Sequence, residues 1–192
     1  MKAKKNRLLI LPNVISLLRI LLIPIFIVMM LHRKTLEAFA VFLLAGLTDL
    51  LDGFTARLWH LKTRIGALLD PAADKLLMTA SFIVLTLPSI NSAHIIPLWL
   101  TIVVISRDLV IVSSAFVLYK LRGQKTFRPS ILGKASTVCQ VMVVLLVLFF
   151  NSFQISSPYL SLLYLLTLVL TLLSGFHYSY IGIRMISLPK RS

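Results

Sequence analysis

The chain has 192 residues, 58% of them hydrophobic and 14% charged, with a mean hydropathy of +0.95. An ordinary soluble domain is about 45–50% apolar and about 25% charged, so this composition excludes a disordered chain, a coiled coil and a typical cytosolic enzyme. Twenty Lys and Arg against six Asp and Glu leave a formal net charge of +14. In so apolar a chain that surplus points to anionic lipid headgroups and not to nucleic acid.

A helix needs about 20 apolar residues to cross about 30 Å of hydrocarbon. Six stretches approach that length: Val14–Leu31, Leu36–Leu51, Ala67–Leu87, Ile95–Tyr119, Ile131–Phe150 and Tyr159–Ile183. Each is read as a helix, because an open strand leaves its backbone polar groups unsatisfied in lipid. The expectation is an all-α polytopic membrane protein, one domain over residues 1–192. The first stretch follows a basic start, Lys2, Lys4, Lys5 and Arg7, and precedes an Ala38-Phe39-Ala40. A cleaved signal peptide is nevertheless the poorer reading. Arg19 interrupts the apolar run, and His32-Arg33-Lys34 separates it from the small residues. A single cysteine, Cys139, allows no internal disulfide, and the four histidines show no metal-motif spacing.

Fourteen of the twenty basic residues fall at the N-terminus, in the joints after the second and fourth spans, and at the C-terminus. The joint after the first span carries Arg33 and Lys34, and those after the third and fifth carry none. By the positive-inside rule both termini face the cytoplasm, which six spans satisfy. Arg19, Lys75, Arg107 and Lys134 lie within spans or at their ends. Such residues either snorkel to the headgroups or serve function. Arg107, near mid-span beside Asp108, is the harder to explain by snorkelling.

Four of the six acidic residues lie within 26 positions: Asp49, Asp52, Asp70 and Asp74. Asp49 and Asp52 are i, i+3 at the cytoplasmic end of the second span. Asp70 and Asp74 are i, i+4 at the start of the third, so each pair shares a helix face. The short joint between the spans allows the pairs to face each other across one seam. Four close carboxylates repel, and the neighbouring cations Arg57 and Lys75 are too few and poorly placed. A divalent cation is the natural counter-charge, and oxygen-only ligation suits Mg²⁺, Mn²⁺ or Ca²⁺ over zinc. Two such ions could clamp a phosphoryl group. Gly46, Gly53, Ala56, Gly66, Ala67, Ala72 and Ala73 either pack helices closely or, at Gly53, let a ligand approach the backbone. Asp70-Pro71 marks either a helix start or a kink.

The run Asp49-x2-Asp52-Gly53-x2-Ala56-Arg57-x8-Gly66-x3-Asp70-x3-Asp74 resembles, at every fixed position, the signature of the CDP-alcohol phosphatidyltransferase family. Pro12-Asn13, Arg19, Arg107-Asp108 and Gly133-Lys134-x2-Thr137 resemble other parts of its bacterial glycerophospholipid members. The resemblance implies transfer of a phosphatidyl group from CDP-diacylglycerol to an alcohol, with release of CMP. It implies that Asp49, Asp52, Asp70 and Asp74 hold Mg²⁺ or Mn²⁺, two ions in all, on the diphosphate. Asp74 would also be the general base, and Gly53, Ala56 and Arg57 would line the cytidine diphosphate site. It further implies a homodimer. The short size and single membrane domain point to a bacterial plasma (inner) membrane, with an organelle as the alternative, and the basic joints put the active site on the cytoplasmic side.

The motif leaves the acceptor open. The basic stretch around Lys120–Lys134 suits a phosphorylated acceptor, with Arg107, Lys134 and Arg128 as candidate contacts. Glycerol 3-phosphate is the first choice, since the length and the Asp-Pro-x2-Asp-Lys segment resemble the bacterial phosphatidylglycerophosphate synthases. Those often carry Arg-Glu where this chain has Arg107-Asp108. That dipeptide, with Lys134-x2-Thr137-x2-Gln140, resembles the eukaryotic-type cardiolipin synthases, whose acceptor is phosphatidylglycerol. An ion transporter is the remote alternative, but its acidic groups would lie near mid-membrane among repeats, and no repeat is evident.

Overall fold

The computed structural model describes the backbone over residues 2–59, 66–90, 93–122 and 130–187, and side chains over 17–48, 72–90, 93–114 and 130–181. Six helices follow one another: α1 Lys2–Leu31, α2 Thr35–Trp59, α3 Gly66–Thr86, α4 Leu98–Arg122, α5 Ile131–Phe153 and α6 Leu160–Ser187. No strand occurs among the described residues. The all-helical expectation therefore holds. Two helices, Ile131–Phe153 and Leu160–Ile181, are long and apolar enough by composition to cross a membrane, and Leu17–Leu31 and Thr35–Thr48 are shorter apolar stretches.

The helix ends differ from the apolar runs in an instructive way. Helix α2 continues to Trp59, well past Leu51, and α1 begins at Lys2, twelve residues before Val14. Hydropathy ends where charge begins, but the backbone ladder does not, because Lys, Arg and Ala are good helix formers. Helix α3 starts at Gly66. Pro71 is thus its sixth residue and not its first, so it lies inside the helix. Helix α4 starts after Pro97, whose carbonyl accepts from the Leu100 and Thr101 amides at 3.0 and 3.3 Å.

The chain divides into two compact units. One comprises Met1–Ile95 with Val144–Ser156, the other Ile96–Val143 with Ser157–Ser192. In the first, α1 packs against both α2 and α3. Its core includes Phe26, Met30, Phe42, Phe82 and Leu85, all buried, and the Phe26 and Phe42 rings meet at 6.1 Å. In the second, α4 packs against α6.

Helix α6 shows why an apolar chain still has an inside. Leu160, Tyr164, Thr167, Thr171, Ser174 and Tyr178 are all buried, at alternating steps of four and three. Leu162, Leu165, Leu166, Leu172, Leu173 and Phe176 are exposed. The hydroxyl residues Thr167, Thr171 and Ser174 face inward while most of the large aliphatic ones face outward, unlike a soluble helix. In lipid this arrangement is favourable, since outward leucines cost nothing and inward hydroxyls bond across helices.

The joints within the first unit are tightly made. Arg33 takes a left-handed conformation at φ 58°. The Arg33 amide donates to the Met30 carbonyl and the Lys34 amide to the Met29 carbonyl, both at 2.9 Å, the double bond of a Schellman cap. The Arg33 guanidinium donates to the Ser89 carbonyl at 3.0 Å. Buried Asn151 near the end of α5 bonds both backbone groups of His94, accepting from N–H and donating to C=O, each at 2.8 Å. The joints after α1, α3 and α5 therefore meet at one end of this unit.

Candidate functional site

Helical backbone runs through Asp49 and Asp52 in α2 and through Asp70 and Asp74 in α3. Positions three and four apart on a helix share a face, so each acidic pair has the register expected of it. The side chains of Asp49, Asp52, Asp70, Gly53, Ala56 and Arg57 lie outside the described residues, as does the whole of Arg128. The seam expected between the two acidic pairs falls there too.

Asp74 is described, and it has a partner that the sequence reading did not assign to it. Arg19 of α1 forms an ion pair with Asp74 through Nη1 and Oδ1. The Arg19 side chain is 1% exposed and that of Asp74 is 46% exposed. Arg19 is therefore buried against Asp74 and does not extend to the protein surface as a snorkelling side chain would. Beyond the expected cations Arg57 and Lys75, α1, packed on both acid-bearing helices, brings Arg19 to Asp74. The candidate donors are four carboxylates with no nitrogen or sulfur among them, two per helix at helical spacing. That is chemistry suited to a hard divalent cation.

The second unit holds the acceptor candidates Arg107 and Lys134. Arg107 of α4 is 6% exposed. Its Nη1 donates to Asp108 Oδ1 at 2.8 Å. Its Nε and Nη2 both donate to Ser174 Oγ of α6, at 3.2 and 2.7 Å. Nη2 also reaches the Gly133 carbonyl of α5 at 3.5 Å, the outer limit of a bond. The guanidinium carbon lies 5.9 Å from the centre of the Tyr178 ring, within cation–π range. Lys134, next to Gly133, is exposed on the first turn of α5. Arg107 thus reaches the turn that carries Lys134 through its backbone.

That turn is well capped. Ser130 Oγ accepts from the Gly133 amide at 3.0 Å, an N-cap bond. The Ser130 amide donates to the Tyr178 hydroxyl at 2.9 Å. Deeper in the unit, Ser136, Gln140 and Thr171 bond one another through their side chains. An open groove of about 190 Å³ runs between α4 and α6 beside Arg107, walled by Val103, Val110, Leu172, Gly175 and Phe176.

Sequence reasoning passed over Ser174 and the Arg19–Asp74 pair. A serine within an apolar helix carries no motif, and 55 residues separate the two ionic partners. The one available signal was the regular spacing of Thr167, Thr171 and Ser174 along a leucine-rich helix.

Residues 9–173 match the model of the CDP-alcohol phosphatidyltransferase family. The chain is 34% identical to the cardiolipin synthase (CMP-forming) of Rattus norvegicus over 93% of its own length and 63% of the relative's. It is 34% identical to the CDP-diacylglycerol–glycerol-3-phosphate 3-phosphatidyltransferase of Bacillus subtilis (strain 168), over 88% of this chain and 92% of that one. The corresponding Escherichia coli (strain K12) protein is 32% identical over 69% of this chain and 73% of its own length. The chain spans under two thirds of the length of the rat and human cardiolipin synthases it matches. A family match over most of the chain, with all four aspartates inside it, shows that this protein belongs to the CDP-alcohol phosphatidyltransferase family.

Proposed function

We propose that this protein is a metal-dependent transferase that moves a phosphatidyl group from CDP-diacylglycerol to glycerol 3-phosphate, giving phosphatidylglycerophosphate and CMP. The observation that carries the reading is the complete eight-residue aspartate motif on α2 and α3, within a chain matched to the family over residues 9–173. Glycerol 3-phosphate is preferred because the Bacillus subtilis relative, whose name carries that acceptor, is matched over 92% of its length. Phosphatidylglycerol is the second reading, favoured by the identity to cardiolipin synthases over 93% of this chain and by Asp108 after Arg107.

The chemistry is displacement at phosphorus. The acceptor hydroxyl gives its proton to the Asp74 carboxylate. Its oxygen bonds to the phosphorus that bears the diacylglycerol, and the bond from that phosphorus to the CMP oxygen breaks. The ion pair with Arg19 holds the Asp74 carboxylate in place on α3, as a positioned base requires. Asp49, Asp52 and Asp70, with Asp74, would hold two Mg²⁺ or Mn²⁺ ions. When bound, such ions neutralise the diphosphate and the departing CMP. Gly53, Ala56 and Arg57 would line the nucleotide, and Arg107, Lys134 and Arg128 would meet the acceptor's phosphate. Charge-assisted bonds from arginine suit such a group.

The outward leucines of α6 and the two long apolar helices support placement in a bilayer. We read all six helices as spans, with both termini and the aspartates on the cytoplasmic side of a bacterial plasma membrane, and the protein as a homodimer. The test is CMP release by purified protein with Mg²⁺ and CDP-diacylglycerol, offering each acceptor separately beside Asp74→Asn. Release driven by glycerol 3-phosphate and lost in the variant supports the first reading. Release with phosphatidylglycerol alone selects the second. Release with neither overturns both.

A further inference from the structure

Arg107 is buried, and its hydrogen-bond partners differ in kind. A guanidinium presents five N–H donors in a rigid planar fork. Ser174 Oγ takes Nε at 3.2 Å and Nη2 at 2.7 Å. Two donors on one oxygen fix both the plane of the fork and its rotation in that plane. Gly133 adds a carbonyl on Nη2 from a third helix. These partners are neutral, and Ser174 is fully buried. The anionic partner, Asp108, sits on Nη1. One edge of the fork is therefore anchored in the protein by uncharged groups, and the Nη1 side is where the guanidinium meets negative charge.

We propose that Ser174 is a positioning residue that fixes the Arg107 guanidinium in the orientation from which it serves the phosphate of the acceptor. The proposal rests on the phosphatidyl-transfer reading above. The long arginine side chain has about 2 kcal/mol of rotamer freedom to lose; an anchor on Nε and Nη2 settles that before the acceptor arrives. Anchoring by a neutral hydroxyl adds no second negative charge to that of Asp108. Neighbouring hydroxyls on the same seam do other work: Thr171 bonds Ser136 at 3.0 Å. Ser136 thus supplies a comparison, a buried hydroxyl that supports the helices without touching Arg107.

The experiment uses full-length protein in detergent with CDP-diacylglycerol and Mg²⁺. The acceptor is titrated at saturating CDP-diacylglycerol, and CDP-diacylglycerol at saturating acceptor, with glycerol 3-phosphate and phosphatidylglycerol in separate arms. Ser174→Ala should raise the KM for the acceptor on the order of tenfold, the loss of a bond to a charged group, and leave the KM for CDP-diacylglycerol unchanged. Ser174→Thr keeps the oxygen and should restore the acceptor KM. Ser174→Cys keeps the volume with a far weaker acceptor and should resemble alanine. Ser136→Ala should lower the melting temperature and leave the acceptor KM alone. An unchanged acceptor KM in Ser174→Ala overturns the proposal. So does a wild-type KM in Ser174→Cys, or an equal rise in Ser136→Ala. Wild-type protein that releases CMP with neither acceptor overturns the function and this role together, so the two failures are told apart.

Discussion

Arg19 and Asp74, 55 residues apart, are joined by an ion pair that is buried at the arginine and half exposed at the aspartate. It ties α1 to the carboxylate proposed as general base, and it supplies positive charge to the acidic helices from within the protein.

Breaking the pair at the arginine should damage chemistry more than folding. Asp74 is exposed over nearly half its side chain, so Arg19→Ala should cost about 1–3 kcal/mol, less than a fully buried pair. CMP release should fall by at least about tenfold, because the base loses the partner that fixes it. Arg19→Lys should recover stability and little activity, since an ammonium lacks the planar fork. In a double-mutant cycle, Arg19→Met with Asp74→Asn should be less unstable than the sum of the single changes. Additive effects would mean that the two side chains do not interact.

Removing divalent metal should abolish CMP release. The four carboxylates offer oxygen alone, so Mg²⁺ or Mn²⁺ should restore activity after chelation and Zn²⁺ should not. Asp49→Asn, Asp52→Asn and Asp70→Asn should each lower activity on the order of a hundredfold or more, the scale of losing one transition-state electrostatic contact. Each variant should also need more metal for half-maximal rate. Activity that survives chelation in all samples would remove the metal from the mechanism.

Gly133 sits where there is no room for a side chain. A Cβ there would lie 2.9 Å from the Tyr178 hydroxyl and 3.1 Å from Ser130 Oγ. Gly133→Ala must displace Tyr178, and with it the bond to the Ser130 amide and the ring beside Arg107. A loss of about 1–3 kcal/mol is expected from the overpacking, read as a lower melting temperature in detergent, together with a raised acceptor KM. Gly175→Ala is the contrast. Its Cβ would lie 3.6 Å from Arg107 Cγ, an ordinary contact, and both quantities should stay near wild type.

What the sequence made legible follows from how each feature is encoded. The apolar runs located all six helices, because lipid compatibility is a property of consecutive residues. The acidic pairs were legible for the same reason: helical spacing is local, and Asp49 and Asp52 lie on one turn. The end of α2 at Trp59 was not, because hydropathy reports the solvent and not the backbone ladder. Arg19 was visible as an oddity within its run, but its partner depends on how α1 packs on α3, which no spacing encodes. Ser174 was silent. Its meaning comes from Arg107 lying 67 positions earlier, and a serine among leucines reads as a small packing residue.

Asn151 should be structural and nothing more. Its amide satisfies both backbone groups of His94, and the His94 ring adds a bond to the Ile155 carbonyl at 2.8 Å. Asn151→Ala removes two bonds at a buried site and should cost about 1–3 kcal/mol. Thermal unfolding should show the loss, while KM for either substrate stays unchanged below the transition. A changed KM would bring this end of the molecule into the reaction.

The same joints test the membrane topology. Arg33 and Ser89, and His94 and Asn151, bring the joints after α1, α3 and α5 to one end of their unit. The basic residues gather in the alternate joints and at the termini, and the positive-inside rule predicts a cytoplasmic side for them. With Cys139→Ala as background, Lys34→Cys should react with a membrane-impermeant maleimide added outside intact cells. Lys62→Cys and Lys125→Cys should react only after the membrane is opened. Labelling of all three from one side would break the six-span arrangement, since an odd number of crossings would separate the first joint from neither of the others. Labelling of Lys34→Cys and Lys125→Cys but not Lys62→Cys from outside would invert the second half of the chain, and the basic surplus there would then need an anionic partner other than the inner leaflet.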